Sequence, residues 1–313
     1  MDDYDCNVPV DSRITLHKLD VFVRVVELGS MSQAADQLYV AQPVVSAHIR
    51  SLEERVGAKL FYREGRSVRL TEAGRTVHAW AKDVLLRTDE LSRHLDGLMD
   101  GSGGSVVIGA SMTIGSYSLP PVLARFRKDH PRVDIRMNIL VPEHVIAATE
   151  SGENDFSVVL VRVDPSTTGL VAEVIGSEEL ALVSAPEYGP RGPRVSVKEL
   201  AEWAFVEAQR GSWRRRVVDA ALDRAGARDR TVAIELGHPE AMKRAVMQSL
   251  GIAMLYRSSV QAELDAGVLR ELEIEADPDL FRSPVYLVAR KDKAFSGVQL
   301  QLRDAVSAYF ARR

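Results

Sequence analysis

The fold of the N-terminal region is decided by residues 30–74, which read SMSQAADQLYVAQPVVSAHIRSLEERVGAKLFYREGRSVRLTEAG. Apolar residues recur at spacings of three and four on both sides of Val40-Ala41-Gln42, which predicts two short helices joined by a tight turn. Pro43 suits the first position of the second helix, where its missing N–H costs nothing. A hairpin over 61–70 is predicted next, in a segment with four basic residues: Lys59, Arg63, Arg66 and Arg69. This is the geometry of a helix that enters the major groove of DNA.

Two further helices are predicted on either side of this stretch. The first covers Leu16 to Leu28 and ends at Gly29, and the second is a long helix capped by Thr71. The long helix carries a heptad seam, which fits either packing on its own domain or a contact between two copies of the chain. The seam residues are Val77, Ala81, Val84, Thr88, Leu91, Leu95 and Leu98.

Strands and helices alternate after a flexible linker at residues 101–105. The alternation begins with a strand at 106–109 and closes with a helix over 298–310, which predicts an α/β fold with a mostly parallel sheet. About 200 residues of this pattern are enough for two lobes. The linker has no strand before it and no Lys-Ser/Thr after it, so it does not match a phosphate-binding loop.

Composition narrows the class of protein. The chain has 313 residues, a formal net charge of −4 and one cysteine, Cys6. No apolar run is long enough to span a membrane, and Met1-Asp2-Asp3-Tyr4-Asp5 does not resemble a secretory signal, so we expect a cytoplasmic protein. The seven histidines form no H-x-x-x-H pair and there is no G-x-S-x-G elbow, so we expect no enzyme, no cofactor and no metal.

One set of residues stands at fixed spacings without a gap across 16–74: Leu19, Phe22, Ser30, Ala34, Ala35, Leu38, Gln42, Pro43, Ser46, Ile49, Leu52, Glu53, Gly57, Leu60, Phe61, Arg63 and Thr71-Glu72-Ala73-Gly74. Together they resemble the signature of LysR-type transcriptional regulators. The segment from Ile108 to Pro120, and Arg210-Gly211-Ser212 followed by Arg215, resemble the branch that controls sulfur assimilation or carbon fixation.

The resemblance implies a domain order. It comprises an N-terminal winged helix-turn-helix, a long linker helix for dimerisation, and two α/β lobes similar to periplasmic solute-binding proteins. The expected boundaries are a disordered tail at 1–13, the winged domain at 14–71, the linker helix at 72–100, the flexible linker at 101–105, lobe 1 at 106–175 plus 275–313, and lobe 2 at 176–274.

The resemblance also assigns the DNA contacts. Gln42, Pro43 and Ser46 are expected at bases or the nearby backbone, since glutamine bonds an adenine edge and proline touches a thymine methyl. Ser32, at a helix start, is placed for a phosphate, and Arg63 and Arg66 lie on the wing. Where family members often carry a long polar residue, this chain has Ala47. The next residue, His48, fits a DNA ligand or a solvated surface residue equally well, and Glu53 is expected to be structural.

An effector is expected between the lobes. Ser111 and Thr113 follow the first strand, and Gly211-Ser212 open a helix of the second lobe. Arg215, or the neighbouring Arg214, adds positive charge. Gly237 to Glu240 are expected at the rim, with Thr167 and Thr168 as weaker candidates. Hydroxyls together with cations favour a small anion such as a carboxylate, sulfite, sulfate or sugar phosphate.

The sequence therefore predicts an effector-modulated DNA-binding transcriptional regulator. It is expected to act as a homodimer or homotetramer on double-stranded promoter DNA with palindromic half-sites, with RNA polymerase as a further candidate partner. Two alternatives stay open at this point. A solute-binding protein is suggested by the two lobes alone, and a ligand-independent architectural DNA-binding protein would need no cleft.

Overall fold

The structure, a computed structural model, describes residues 14–64, 67–99, 103–162 and 169–312. The tail predicted at 1–13 lies outside these residues. The helices are α1 Leu16–Leu28, α2 Met31–Gln37, α3 Gln42–Val56, α4 Glu72–Met99, α5 Leu119–Asp129, α6 Pro142–Glu150, α7 Trp213–Ala225, α8 Pro239–Met247, α9 Arg257–Asp265 and α10 Gly297–Phe310. The strands are β1 Phe61–Glu64, β2 Ser67–Leu70, β3 Ser105–Ser111, β4 Asp134–Leu140, β5 Phe156–Val159, β6 Leu170–Ser184, β7 Arg194–Val195, β8 Ala204–Ala208, β9 Thr231–Leu236, β10 Ala253–Tyr256, β11 Arg270–Ile274 and β12 Arg282–Arg290.

The chain divides into two compact units with a boundary between Leu95 and Asp96. In the N-terminal unit the predicted helix ends are confirmed. Gly29 and Gly57 follow α1 and α3 with φ of 63° and 73°, a left-handed conformation that favours glycine. Phe22 and Leu52 are fully buried in the core of this unit. The antiparallel β1–β2 pair forms the predicted hairpin.

The sequence left open whether the heptad seam of α4 packs on its own domain or contacts a second copy of the chain, and the two halves of the seam differ in this respect. Ala81 is fully buried in the core of the N-terminal unit, and Val77 and Val84 pack against that core. Leu91, in contrast, is 57% exposed. The first half of the seam therefore serves its own domain. The side chains of Leu95 and Leu98 lie outside the described part of the chain.

The C-terminal unit is built on a mixed sheet, so the prediction of a mostly parallel sheet is wrong. Eight strands form it, with seven of them in the order β4-β3-β5-β12-β6-β11-β7 and β10 paired to β6. Strand β3 pairs in parallel with β4 and β5, as the βαβ pattern predicts. All pairs made by β6 and β12 are antiparallel. The alternation of apolar and polar residues in the sequence does not show whether a strand that returns from the other lobe runs parallel or antiparallel to its neighbours.

Strand β6 joins the two lobes. Its 15 residues pair with β12 in the first part and with β10 and β11 at the end. The sequence predicted only the buried end of this strand, 180–184, because the beginning is partly exposed. A register shift at Val285/Tyr286 lies opposite 174–176, where we expected lobe 1 to end. A side chain at Gly176 would come within 2.5 Å of the backbone oxygen of Phe310, so this position requires glycine.

The second lobe contains the parallel pair β8–β9, flanked by α7 and α8. A single bridge between Phe205 and Ile252 connects this pair to the segment that enters β10. Helix α9 and strand β11 were not predicted; α9 has few apolar residues and hence a weak helical period. Within the described residues, no helix is both long and apolar enough to cross a membrane.

Candidate nucleic-acid interface and interlobe site

Helix α3 presents one face to its own core and the opposite face to solvent. Val45, Ile49 and Leu52 are buried, as the spacing predicts. Pro43, Ala47, Arg50 and Glu54 lie one turn apart on the opposite face and are exposed. Arg50 makes no ion pair with any carboxylate that the structure describes. The sequence analysis missed this residue, although its i+3 spacing from Ala47 was a sufficient signal.

The polar side chains at the start of α3 bond to one another. The Gln42 side-chain amide donates to the Ser46 hydroxyl at 2.8 Å, and that hydroxyl lies 3.4 Å from the sulfur of Met31 on α2. Ser32 is exposed in the first turn of α2. The structure therefore brings Gln42 and Ser46 together at the outer end of α3. Their predicted roles as base contacts stay predictions.

His48 contacts a second histidine rather than standing alone on the surface. The His48 and His17 rings meet edge to face with centroids 4.8 Å apart. Partial burial lowers the pKa of His48, and the nearby charges of His17 and Lys18 lower it further. In the free protein this ring is therefore directed towards α1.

This arrangement predicts a loss of stability in acid. The native state binds fewer protons at His48 than the unfolded chain does, so its contribution is present above the ordinary histidine pKa and lost as pH falls through the lower folded value. Protection factors for the buried amides of α1 and α3, from hydrogen exchange at about pH 7.5 and about pH 5.5, should fall less in His48→Gln than in the wild type. Equal losses in the two proteins would contradict the prediction.

The hairpin is held to α3 by a buried carboxylate, as expected for a structural Glu53. Glu53 accepts hydrogen bonds from the backbone N–H of Leu60 at 2.9 Å and of Phe61 at 3.4 Å. It also pairs with the Lys59 ammonium at 2.6 Å. The carboxylate is therefore directed inward to the hairpin, which agrees with the structural role expected for Glu53.

The start of α4 is locked to the same hairpin. The Thr71 hydroxyl donates to the backbone oxygen of Lys59 at 2.6 Å and accepts from the N–H of Gly74 at 2.9 Å. A Cβ at Gly74 would lie 2.1 Å from the backbone oxygen of Leu60. Arg63 lies in β1, but its side chain and the whole of Arg66 lie outside the described residues.

In the C-terminal unit, the predicted loop after β3 meets the predicted wall on α7. The Thr113 hydroxyl accepts a hydrogen bond from Nη2 of Arg214 at 2.7 Å. Ser111 is 5% exposed, and its hydroxyl has no hydrogen-bond partner among the described residues. Gly211, with φ of 79°, and the N-cap Ser212 turn the chain into α7, and the Ser212 hydroxyl accepts from the Arg215 N–H. Thr167 and Thr168 lie outside the described residues.

The consecutive arginines Arg214 and Arg215 have opposite surroundings. Arg215 pairs with Glu207 at 2.7 Å, with Asp219 at 2.9 Å and, at 3.5 Å, with Glu235. This neutralisation directs Arg215 into its own lobe, so the structure does not bring it to Ser111 and Thr113. The positive charge near Ser111 and Thr113 comes instead from Arg214, which the sequence analysis named as the alternative to Arg215.

Arg214 carries a charge that no carboxylate in the described part of the chain neutralises. Its guanidinium lies 5.6 Å from the centroid of the Tyr256 ring, and Nη1 is shut off from solvent without a hydrogen-bond partner. Burial lowers the pKa of this guanidinium, the direction expected for a cation without a counterion. A partly buried cation without a counterion is unfavourable, and an anionic ligand would reduce that cost.

A second polar contact links the lobes near the predicted rim. The Tyr117 hydroxyl donates to Glu240 at 3.0 Å, and Glu240 pairs with Lys243 at 2.9 Å. Lys243 also pairs with Glu263 at 2.7 Å. Burial and the Glu240 carboxylate raise the pKa of Tyr117, while Lys243 lowers that of Glu240. Of the predicted rim, Glu240 therefore reaches the other lobe, and His238 caps α8.

The described residues contain no cluster of three or more His, Cys, Asp or Glu side chains arranged to hold a metal ion. The structure contains two candidate sites: the exposed face of α3 beside the β1–β2 hairpin, and, in the C-terminal unit, the hydrogen-bond donors around Arg214 between the two lobes.

Comparison with known proteins agrees with both features. Residues 16–75 match the model of the bacterial regulatory helix-turn-helix proteins of the lysR family, and residues 99–311 match the LysR substrate binding domain. The RuBisCO operon transcriptional regulator of Allochromatium vinosum is 31% identical over 300 residues, which cover 96% of this chain and 97% of that protein. The uncharacterized HTH-type transcriptional regulator YeiE of Escherichia coli K12 is 34% identical over 292 residues, covering 93% and 96%.

Solved structures share the fold. Full-length CbnR in complex with its target DNA superimposes with a TM-score of 0.67 at 20% identity, covering 96% of this chain and 99% of that one. The two family models match most of the chain, residues 16–75 and 99–311, in the same order as the winged helix-turn-helix and the two lobes. The chain therefore belongs to the LysR family of DNA-binding transcriptional regulators with an effector-binding domain.

Proposed function

We propose that a small anion, bound between the two lobes at Arg214, controls the DNA binding of this LysR-family regulator. The observation that carries the proposal is the enclosed Nη1 of Arg214, which has no partner among the described residues. Its Nη2 already bonds Thr113 of the other lobe, so a ligand at Nη1 contacts a residue that joins both lobes. A ligand there would favour one lobe arrangement over another, as an effector must.

The hydrogen-bonding inventory supports an oxyanion. The indole N–H of Trp213, the residue before Arg214 in sequence, is buried without a hydrogen-bond partner among the described residues, and so is the Ser111 hydroxyl. Arginine and tryptophan can only donate, so a ligand that contacts them must supply acceptors. Carboxylates, sulfite, sulfate and sugar phosphates meet this requirement and bond charged donors strongly.

The relatives named as RuBisCO transcriptional regulators suggest the controlled genes. We propose that this chain regulates carbon fixation through the same class of promoter, as a cytoplasmic protein without catalytic activity. The named relatives are regulators, which supports the last point. The exposed Leu91 and Trp80 of α4 support pairing of linker helices into a dimer that reads two half-sites, with tetramers and RNA polymerase contacts as further steps.

The proposal is tested by thermal unfolding of the full-length protein with sulfite, sulfate, phosphoglycolate, ribulose bisphosphate, aliphatic and aromatic carboxylates, and neutral sugars. An anion at a hundredfold excess over its dissociation constant should stabilise by about 2.7 kcal/mol. The same anion should change the affinity for promoter DNA. Stabilisation by neutral sugars but by no anion would contradict the proposed ligand class, and DNA binding unaffected by any anion would favour an architectural protein.

Arg50 provides a separate test of the DNA interface. Its exposed guanidinium continues the outward face of α3, so we expect it to contact phosphate or a guanine edge. Arg50→Gln should weaken DNA binding; a phosphate contact would also reduce the slope of log K against log salt by about one. Arg132→Gln, an exposed arginine of the other unit, is the control. Unchanged affinity and slope in Arg50→Gln would remove Arg50 from the interface.

A further inference from the structure

A short π-helical turn, Ile114–Ser118, lies between β3 and α5 in lobe 1. Such turns are rare and occur frequently at functional sites. This one packs closely on the sheet of its own lobe, because a side chain at Gly115 would come within 2.7 Å of Cγ1 of Ile139 in β4. The Ser118 hydroxyl also donates to the buried Glu178 of β6 at 2.6 Å. The turn therefore moves with lobe 1.

Two side chains of this segment cross to lobe 2. Thr113, directly before the turn, accepts from Arg214 of α7, and the Tyr117 hydroxyl donates to Glu240 of α8 at 3.0 Å. The two residues of lobe 1 are four positions apart, about one helical turn, so they leave lobe 1 on the same side. Their partners move together, because α7 and α8 both pack on β8.

Glu240 is fixed within lobe 2 by a buried lysine. Lys243 pairs with Glu240 at 2.9 Å and with Glu263 of α9 at 2.7 Å. Its ammonium also lies 5.6 Å from the centroid of the Tyr117 ring, a distance at which an aromatic face attracts a cation. Tyr117 therefore meets a carboxylate at its hydroxyl and a cation at its ring, and both belong to lobe 2.

This contact is separate from the atoms proposed to bind the anion. Those atoms belong to Ser111, Trp213 and Arg214, whose donors lack partners among the described residues. The Tyr117 hydroxyl and the Glu240 carboxylate already bond each other. A ligand at Arg214 does not displace that bond, so the contact can form before the ligand binds and persist afterwards.

We propose that Tyr117 is a positioning residue, whose bond to Glu240 holds the two lobes, before any anion is present, in the arrangement in which Thr113 meets Arg214. The anion-binding role of Arg214 rests on the proposed function above. When only a fraction of the molecules has the binding arrangement, the apparent affinity falls in proportion to that fraction. The contact therefore raises the affinity for the anion without touching it.

The arrangement of the lobes can be measured without a ligand. In the full-length protein with Cys6→Ser, spin labels are attached at Glu150→Cys of lobe 1 and Arg228→Cys of lobe 2, both exposed positions. Dilution with unlabelled protein restricts the measured distances to pairs within one chain. Tyr117→Phe removes only the hydroxyl and keeps the ring near Lys243. It should broaden or shift the distance distribution between the labels.

The affinity is measured on unlabelled protein by thermal unfolding in titrations with sulfate and with phosphoglycolate, at an ionic strength kept constant with chloride. Tyr117→Phe should weaken the binding of the stabilising anion roughly tenfold, the effect of one hydrogen bond to a charged group. A saturating anion should restore the wild-type label distance. Tyr188→Phe removes the hydroxyl of another half-buried tyrosine in lobe 2, and this control should change neither quantity.

A double-mutant cycle assigns the effect to the contact. Glu240→Ala removes the acceptor and should weaken anion binding at least as much as Tyr117→Phe does. The double variant should bind the anion no more weakly than Glu240→Ala alone, because the hydroxyl has then already lost its acceptor. Additive losses would show that the two residues act independently, which would overturn the proposal.

Two further results would overturn it. Label distances in Tyr117→Phe that match the wild type would show that the contact does not hold the lobes. Tighter anion binding in Tyr117→Phe would show that the contact holds an arrangement that excludes the ligand. Failure of the proposed function is a distinct result: if no anion stabilised the wild type while Tyr117→Phe still altered the label distance, the contact between the lobes would be supported and the ligand class would be wrong.

Discussion

Arg214→Met is expected to abolish the stabilisation by the effector anion while leaving the unfolding free energy within about 1 kcal/mol of wild type. The variant loses one hydrogen bond to Thr113 and the contact with the Tyr256 ring. It also removes a partly buried cation that no described carboxylate neutralises, which offsets that loss. If Arg214 binds the ligand, its replacement should change the free energy of unfolding little; if its role is structural, the replacement should lower that free energy substantially.

Arg215→Met is the matched control, one residue along the same helix. It leaves the buried Glu207 and its neighbour Asp219 with fewer partners, so we expect a loss of roughly 2–3 kcal/mol, moderated because Arg230 still pairs with both carboxylates. Its response to the anion should remain.

Thermal and urea unfolding, with and without the anion that stabilises the wild type, measure both quantities. A large destabilisation in Arg214→Met with a retained anion response would show that Arg214 is structural. An anion response lost in Arg215→Met and kept in Arg214→Met would reverse our assignment of the two arginines.

The second large effect is expected at Glu53. Glu53→Ala removes the acceptor of the buried Leu60 N–H and of the Phe61 N–H, so we expect the N-terminal unit to lose about 3 kcal/mol. The hairpin would separate from α3, and DNA binding should fall with it. Hydrogen exchange at the amides of Leu60 and Phe61 measures the local effect directly.

Lys59→Met tests the other half of the ion pair. The Lys59 side chain is 75% exposed, so the pair itself should contribute no more than about 1 kcal/mol and the exchange rates should change little. Glu53→Gln, which keeps one acceptor oxygen, should be intermediate. If Glu53→Ala left the two amides as protected as before, the buried carboxylate would not be what holds the hairpin.

Much of the DNA-binding unit follows from sequence because its signals are local. Capping by Ser30 and Thr71, the left-handed residues Gly29 and Gly57, and the helical period of α1 depend on neighbours in the chain. Such interactions determine where helices begin and end. The inward role of Glu53 followed from charge, since an outward carboxylate would repel phosphate.

The mixed sheet and the effector site depended on contacts between distant residues. Strand β6 was predicted over 180–184 only, because its beginning pairs with β12, about 110 residues later, and lacks a buried pattern of its own. Arg214 and Arg215 are indistinguishable by composition and spacing.

The sequence by itself determined the family and the helix-turn-helix, and it named the candidate residues of the two predicted sites. The tertiary structure decided that Arg214, and not Arg215, faces the other lobe. Consecutive side chains on a helix point about 100° apart, so Arg215 meets three carboxylates whereas Arg214 meets the Thr113 hydroxyl. It also decided that the first half of the α4 seam is buried in its own domain. Both outcomes depend on packing between segments that are far apart in the chain, and the spacing of residues within one segment does not predict that packing.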